Sequence, residues 1–304
     1  MEFLDRFVRE FGAKRELRRT DLNYADSWRD TAINLYSSGV YEHVSRCVKI
    51  SDRPHVDLGC GFGFLLDELR RQNPSSKLLG VDSNREMIRR AKSSLSSLDL
   101  DVASYETRRV SSRGERLDFD FHLNLAKIVD ARRNFENGRI VLVQDDIRNM
   151  RVLREILGDE KLGSATLTFP GVSVRDLLME QNVSREQVSE QLEVFKRKTL
   201  EAVFAGIAEV TEKGASFVFA DFMALPEPAL LLHPVGVSFI VRQIIDQLQS
   251  RIGESVQYWS ISDFDFAVFD GEIADGEMRL SDDSGNQLDS EIVKGCYILS
   301  LERC

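Results

Sequence analysis

The chain has 304 residues, 42% of them hydrophobic and 30% charged, with a net charge of −10. That length supports a sizeable core, as one large domain with additions or as two modest ones. The acidic balance disfavours a long nucleic-acid footprint and an acidic membrane surface, because both carry negative charge of their own.

The opening run "MEFLDRFVREFGAKRELRR" is amphipathic and charged throughout, unlike the apolar stretch of a secretion signal. Leu4, Phe7, Val8 and Phe11 recur at helical spacing, as do Trp28, Ala32, Ile33 and Tyr36 before "SSGV". The spacing predicts a helical cap over residues 1–50. "HVDLG" (55–59) then predicts a strand, and "FLLDELRRQN" (64–73) a helix stopped by Pro74. "KLLGVD" (77–82), "SNREMIRRAKSSL" (83–95), "RIVLVQDD" (139–146) and "SATLTF" (164–169) add strand, helix, strand and strand. Ser184 with Gln187 three residues on is a capping-box start for a long helix, which Gly214 ends. A fifth strand at 215–222, a helix at 237–253 and two last strands at 255–261 and 294–303 follow.

This alternation predicts an α/β fold: a doubly wound, mostly parallel seven-stranded sheet with helices on both faces. Two stretches stand apart as insertions in a domain over 51–304. One is 99–138, rich in arginine and aspartate. The other is the polar run 270–293, with a hairpin signal at "DSGN".

Cys47, Cys60, Cys296 and Cys304 form no C-x-x-C pair and no zinc-ligand spacing with the four histidines, so free thiols and no metal are expected. No apolar run reaches the roughly 18 residues of a membrane span; the longest, 229–241, carries a proline. A cytoplasmic protein without a membrane partner is expected, its oligomeric state left open.

The run "HVDLGCGFGFLLDEL" (55–69) carries the chemistry. Gly59, Gly61 and Gly63 alternate between a strand and a helix. Without Cβ atoms there, a nucleotide-like ligand can approach the N–H groups at the helix start. The dinucleotide spacing G-x-G-x-x-G fails, with Phe64 in place of the third glycine. Asp57, two residues before the first glycine, opposes a pyrophosphate and suits an ammonium group.

"VDLGCGFG" resembles the glycine motif of the class I, Rossmann-like S-adenosylmethionine-dependent methyltransferases, including Cys60 between the first two glycines. "LLGVDSN" resembles their second-strand motif, which implies that Asp82, followed by Ser83, binds the ribose hydroxyls. "LVQDDIRNM" resembles the third-strand motif. It implies that Asp146 accepts from the adenine amino group and that the Ile147 backbone meets the ring edge, with Asp145 as the alternative one residue earlier. Thr168, closing the fourth strand, joins this cofactor-binding set.

In this fold the acceptor lies above the ends of strands four and five, here 168–173 and 220–228. Thr168-Phe169-Pro170-Gly171 lacks the Asn or Asp of the N/D-P-P-Y/F motif of base-amine methyltransferases. Candidate catalytic residues are Asp221, His233 and Tyr41; each also reads as structural, as a turn cap, a packing histidine and a core aromatic. Tyr36 shares Tyr41's two readings. His55 precedes the first strand, at the wrong end for chemistry. Arg108, Arg109, Arg113 and Arg116 form a basic cluster, a solvated loop or a contact for an acidic substrate group. The resemblance implies in-line methyl transfer from S-adenosylmethionine to a small-molecule oxygen or nitrogen. The alternatives are a protein or RNA methyltransferase and a non-catalytic regulatory subunit.

Overall fold

Alternating side chains divide the core in two. In β1 (His55–Leu58), Val56 and Leu58 face one side while His55 and Asp57 face the other. In β2 (Leu78–Asp82), Leu79 and Val81 oppose Leu78; in β6 (Ile140–Gln144), Val141 and Val143 oppose Ile140 and Leu142. Strands buried on both faces are near-continuous apolar runs, which is why they stand out in the sequence. The computed structural model describes residues 2–113, 116–170, 188–224, 234–268 and 294–304.

The sheet also contains β3 (Val102–Tyr105), β7 (Leu162–Thr168), β8 (Thr211–Ala224), β9 (Trp259–Val268) and β10 (Lys294–Arg303), in the order β3-β6-β2-β1-β7-β8-β10-β9. Strands β3 to β8 along that order pair in parallel, and β10 is antiparallel to both neighbours. The sheet therefore has eight strands, where seven were expected. The extra one is β3, a four-residue edge strand from the stretch 99–138. The same stretch supplies a separate hairpin of β4 (Arg108–Arg113) and β5 (Arg116–Phe121), and a helix α5 (Leu125–Glu136).

Helices cover both faces. On one side lie α5, α6 (Arg151–Leu157), α7 (Val188–Val210) and α8 (Pro234–Ile252), through Phe135, Ile156, Phe204 and Leu248. On the other lie α2 (Val40–Cys47), α3 (Phe64–Gln72) and α4 (Arg85–Ser97), through Val44, Leu66 and Leu95. The N-terminal cap is one helix of 36 residues, α1 (Glu2–Ser37), followed by α2 after a left-handed Gly39 at φ 76°. Ile33, read as part of its apolar face, is 43% exposed; Ala25, Ala32 and Leu35 turn inward instead.

Gly214 does not end the long helix. Helix α7 stops at Val210, and Gly214, at φ 78°, lies within β8 where its pairing with β7 shifts from Leu162↔Thr211 to Ser164↔Ser216. The Ser184–Gln187 start and the "DSGN" hairpin lie outside the described residues.

Asp145 shows how a buried acid holds a loop. It is wholly buried, and its carboxylate accepts from the backbone N–H of Asp146 at 2.9 Å, Val152 at 2.8 Å and Leu153 at 3.0 Å. Those bonds cap the start of α6 and fix the turn after β6. Asp145→Ala strands these donors, with an expected loss of about 1–3 kcal/mol. Urea unfolding should show a lower midpoint at unchanged m; an unchanged midpoint rules out this role.

Candidate active site

Chain order reverses between β1 and β7, where the connections wind in opposite directions, and a crevice opens there at the carboxyl ends of the strands. The cavity in that crevice encloses about 1000 Å³ of empty space, open solvent included. Its floor is the turn after β1. Gly59 (φ 67°) and Gly61 (φ 48°) adopt left-handed backbone conformations. A Cβ on Gly59 would meet no atom within 4 Å, and one on Gly61 only the Gly59 carbonyl at 3.9 Å. These two residues leave the space a ligand needs. Gly63 serves the helix instead, capping α3 at φ 78°, and a Cβ there would press on Leu95 Cδ1 at 3.0 Å. It lies outside the cavity lining. Cys60 lines the cavity, and its N–H donates to the Val81 carbonyl at 3.0 Å, tying the turn to β2.

Two acids face this floor. Asp57 is buried, and its carboxylate accepts from the Thr166 hydroxyl at 2.8 Å. Burial pushes it up to about 7, the Thr166 bond pulls it down, and the charge of Asp82 pushes it up again. Asp82 accepts from the N–H of Asn84 at 2.8 Å and of Gly61 at 3.1 Å, yet burial pushes it up to about 6. Ser83 lines the cavity beside it. His55 does sit at the far end of β1, but it is part of the site's support. Its Nδ1 lies 2.8 Å from Ser164 Oγ and its Nε2 3.2 Å from Thr166 Oγ1, the hydroxyl that holds Asp57. Burial lowers the imidazole to about 3, so it is neutral.

At the end of β6, Ile147 lines the cavity and Asp146 does not. The Asp146 carboxylate is engaged by the Arg148 guanidinium, at 2.9 Å from Nε and 2.7 Å from Nη2. Asp145, the alternative, is committed to capping α6. At the end of β7 the lining continues through Leu167, Thr168, Phe169 and Pro170. Phe169 has a left-handed backbone (φ 50°), held by its N–H donating to Ala220 at 2.8 Å, and stacks on Phe222 with centroids 4.4 Å apart.

The fourth wall comes from α1, through Thr20, Asp21, Tyr24 and Trp28. Asp21 pairs with Arg108, its carbonyl accepts from the Asn84 amide at 3.1 Å, and Arg90 reaches Asp26 at 2.6 Å. The basic cluster of the 99–138 stretch thus has one member, Arg108, inside the cavity; the side chains of Arg113 and Arg116 lie outside the described residues. Sequence reasoning missed Asp21 and Tyr24. The available signal was an aspartate at helical spacing within the apolar stripe that Leu17, Trp28 and Leu35 share.

Tyr41 lines the cavity; burial and the nearby charges of Asp57 and Cys296 raise its phenol. Asp221 lies outside the lining and accepts from the Phe222 N–H at 2.9 Å. His233 lies outside the described residues. Among those residues no helix is long and apolar enough to cross a membrane.

Residues 51–128 match the family model described as a methyltransferase domain. No curated protein matches the chain. Solved structures similar to it include TrmN from Thermus thermophilus, 8% identical over 88% of this chain and 49% of that one, at TM-score 0.45. The chain thus spans about half the length of that protein. Others are the N-methyltransferase NodS from Bradyrhizobium japonicum WM9 (10% identity, 89% and 97% covered, TM-score 0.40) and geranyl diphosphate C-methyltransferase from Streptomyces coelicolor A3(2) (10%, 88% and 76%, TM-score 0.43). The segment that resembles a methyltransferase domain, about a quarter of the chain, contains the open glycines, Asp57 and Asp82.

Proposed function

We propose that this protein transfers a methyl group from S-adenosylmethionine to a small acceptor held beneath α1. The observation that carries the reading is the course of α1 across the cavity, strapped by Asp21 to Arg108 and Asn84. A helix in that position occupies the face on which a polymeric substrate would dock. A reducing, cytoplasmic setting fits the four free thiols.

The residues suit the cofactor. Gly59 and Gly61 offer open backbone, Asp57 suits an ammonium group, and Asp82 can accept from ribose hydroxyls. Leu65, Met87 and Ile147 provide apolar surface for a base. Bound there, S-adenosylmethionine supplies an electrophilic methyl group on a good leaving group. The protein's part is to align the acceptor and exclude water. Trp28, Tyr41, Phe169 and Pro170 do so by walling the cavity with ring surface. Phe222 backs that wall, edge-on to Trp28 at 6.0 Å and stacked on Phe169. The acceptor most favoured by such a wall is flat or apolar, with its nucleophilic atom on one edge.

Three measurements test this reading. Asp82→Ala should weaken binding of S-adenosylmethionine by about 10- to 100-fold in calorimetry, from loss of hydrogen bonds to a charged acceptor; unchanged affinity refutes the assignment. Asp57 holds a proton in the folded state between about pH 4 and 7 that the unfolded chain has released. Its contribution to stability is therefore present below pH 4 and is lost as pH rises through 7. The melting temperature of ligand-free wild type should accordingly fall relative to Asp57→Asn between pH 5 and pH 8; a pH-independent gap contradicts a desolvated carboxylate. Finally, methyl-labelled cofactor should deliver label to a small amine, phenol or alcohol in an acceptor screen. Trp28→Ala should raise the KM for that acceptor while the cofactor's Kd stays put. Label entering only RNA or protein would overturn the small-acceptor reading.

A further inference from the structure

A second cluster of chemically active groups lies at the other end of α2 from Tyr41. His43 and Cys47 are four residues apart and so share one face of the helix. The edge strand β9 brings Asp265 to them, with His43 Nε2 2.7 Å from Asp265 Oδ2. The imidazole nitrogen, the thiol sulfur and the carboxylate oxygen all lie within 4.8 Å of one another. Cys47 is half-buried, and its thiol donates to the His43 carbonyl at 3.5 Å.

Nitrogen, sulfur and oxygen from these three residue types are zinc's preferred donors. Bonds of about 2.0–2.3 Å in a tetrahedron place ligand atoms about 3.4–3.6 Å apart. The His43–Asp265 pair needs to open, and the sulfur to close, by about 1 Å to reach that spacing. Side-chain rotation supplies such movement, since His43 and Asp265 are partly exposed, at 36% and 52% of their side-chain surface. Asp263 adds its negative charge to that of Asp265 near the sulfur. Soft thiolate with imidazole selects a transition metal over magnesium or calcium.

We propose that His43, Cys47 and Asp265 form a binding site for a zinc-class divalent metal, with water as the fourth ligand. Such a site would run against the expectation of no metal drawn from the cysteine and histidine spacings. The third ligand is 222 residues from the first, so local spacing could not reveal it. Binding releases the thiol proton to solvent as the metal–sulfur bond forms. The metal would join α2, and with it the Tyr41 wall of the cavity, to the edge of the sheet.

The test uses the full chain after treatment with a chelator. Titration with Co²⁺ should give a thiolate-to-cobalt charge-transfer band that saturates at one equivalent and is displaced by Zn²⁺. Zn²⁺, and not Mg²⁺, should raise the melting temperature. Cys47→Ser should abolish the band and weaken zinc binding at least about tenfold, in line with the sensitivity of metal sites to their ligands and supports. Cys304→Ser, at the exposed thiol, should leave both unchanged. Should Cys47→Ser fail to fold, His43→Gln and Asp265→Asn alter more exposed side chains and should weaken zinc binding to the same degree. Absence of a band, or a band that survives Cys47→Ser, overturns the proposal and leaves His43 and Asp265 as a surface ion pair.

Discussion

Two carboxylates withdrawn from water at the ends of neighbouring parallel strands govern this structure. Asp57 and Asp82 lie where β1 and β2 run out, each pushed by burial toward the neutral form. Hydrogen bonds from Thr166, Gly61 and Asn84 offset only part of that desolvation. Such an arrangement is unfavourable for the free protein and favourable for a ligand that brings an ammonium group and hydroxyl donors. The surrounding elements follow from it. The open turn at Gly59 and Gly61 lets the ligand approach, while the His55–Thr166 contact holds Asp57 from behind.

The N-terminal helix is tied into the same electrostatics. Arg108 lowers the proton affinity of Asp82, and Asp21 raises it. Asp21 and Arg108 pair with each other, so the contact that holds α1 also engages the guanidinium near Asp82. The Asn84 amide adds a second link, since the residue that caps α4 and bonds Asp82 also holds the Asp21 carbonyl.

Much of the fold was legible because parallel strands buried on both faces leave continuous apolar runs, as in "KLLGVD" and "RIVLVQDD". What the sequence hid falls into two kinds. Some contacts are invisible to local pattern: a Cβ on Gly63 would press on Leu95, and the Asp146 carboxylate meets Arg148. Others are brought in by distant elements: Asp21 and Tyr24 reach the cavity from a helix whose local pattern shows only amphipathicity, and Asp265 reaches His43 across most of the chain. Strand β3 escaped because four residues within a polar stretch give too short a run to stand out.

Helix α2 shows what sets the rigidity of the cavity wall. Eight residues are too few for a helix to persist alone in water, and its N-cap is a glycine with no side-chain bond to offer. Its stability must come from packing, and Val40, Tyr41 and Val44 all enter the core cluster shared with α3. Gln72 of α3 adds a bond to Ser45 at 2.5 Å. Tyr41 is therefore held in the wall by the same contacts that keep α2 folded, and a change in that core reaches the cavity wall. The six helical steps from Tyr41 to Cys47 span about 9 Å at the helical rise, short enough for the helix to move as one rod. Whatever anchors the Cys47 end to β9 thus limits how far Tyr41 can swing, and the wall's position depends on both ends of one short helix.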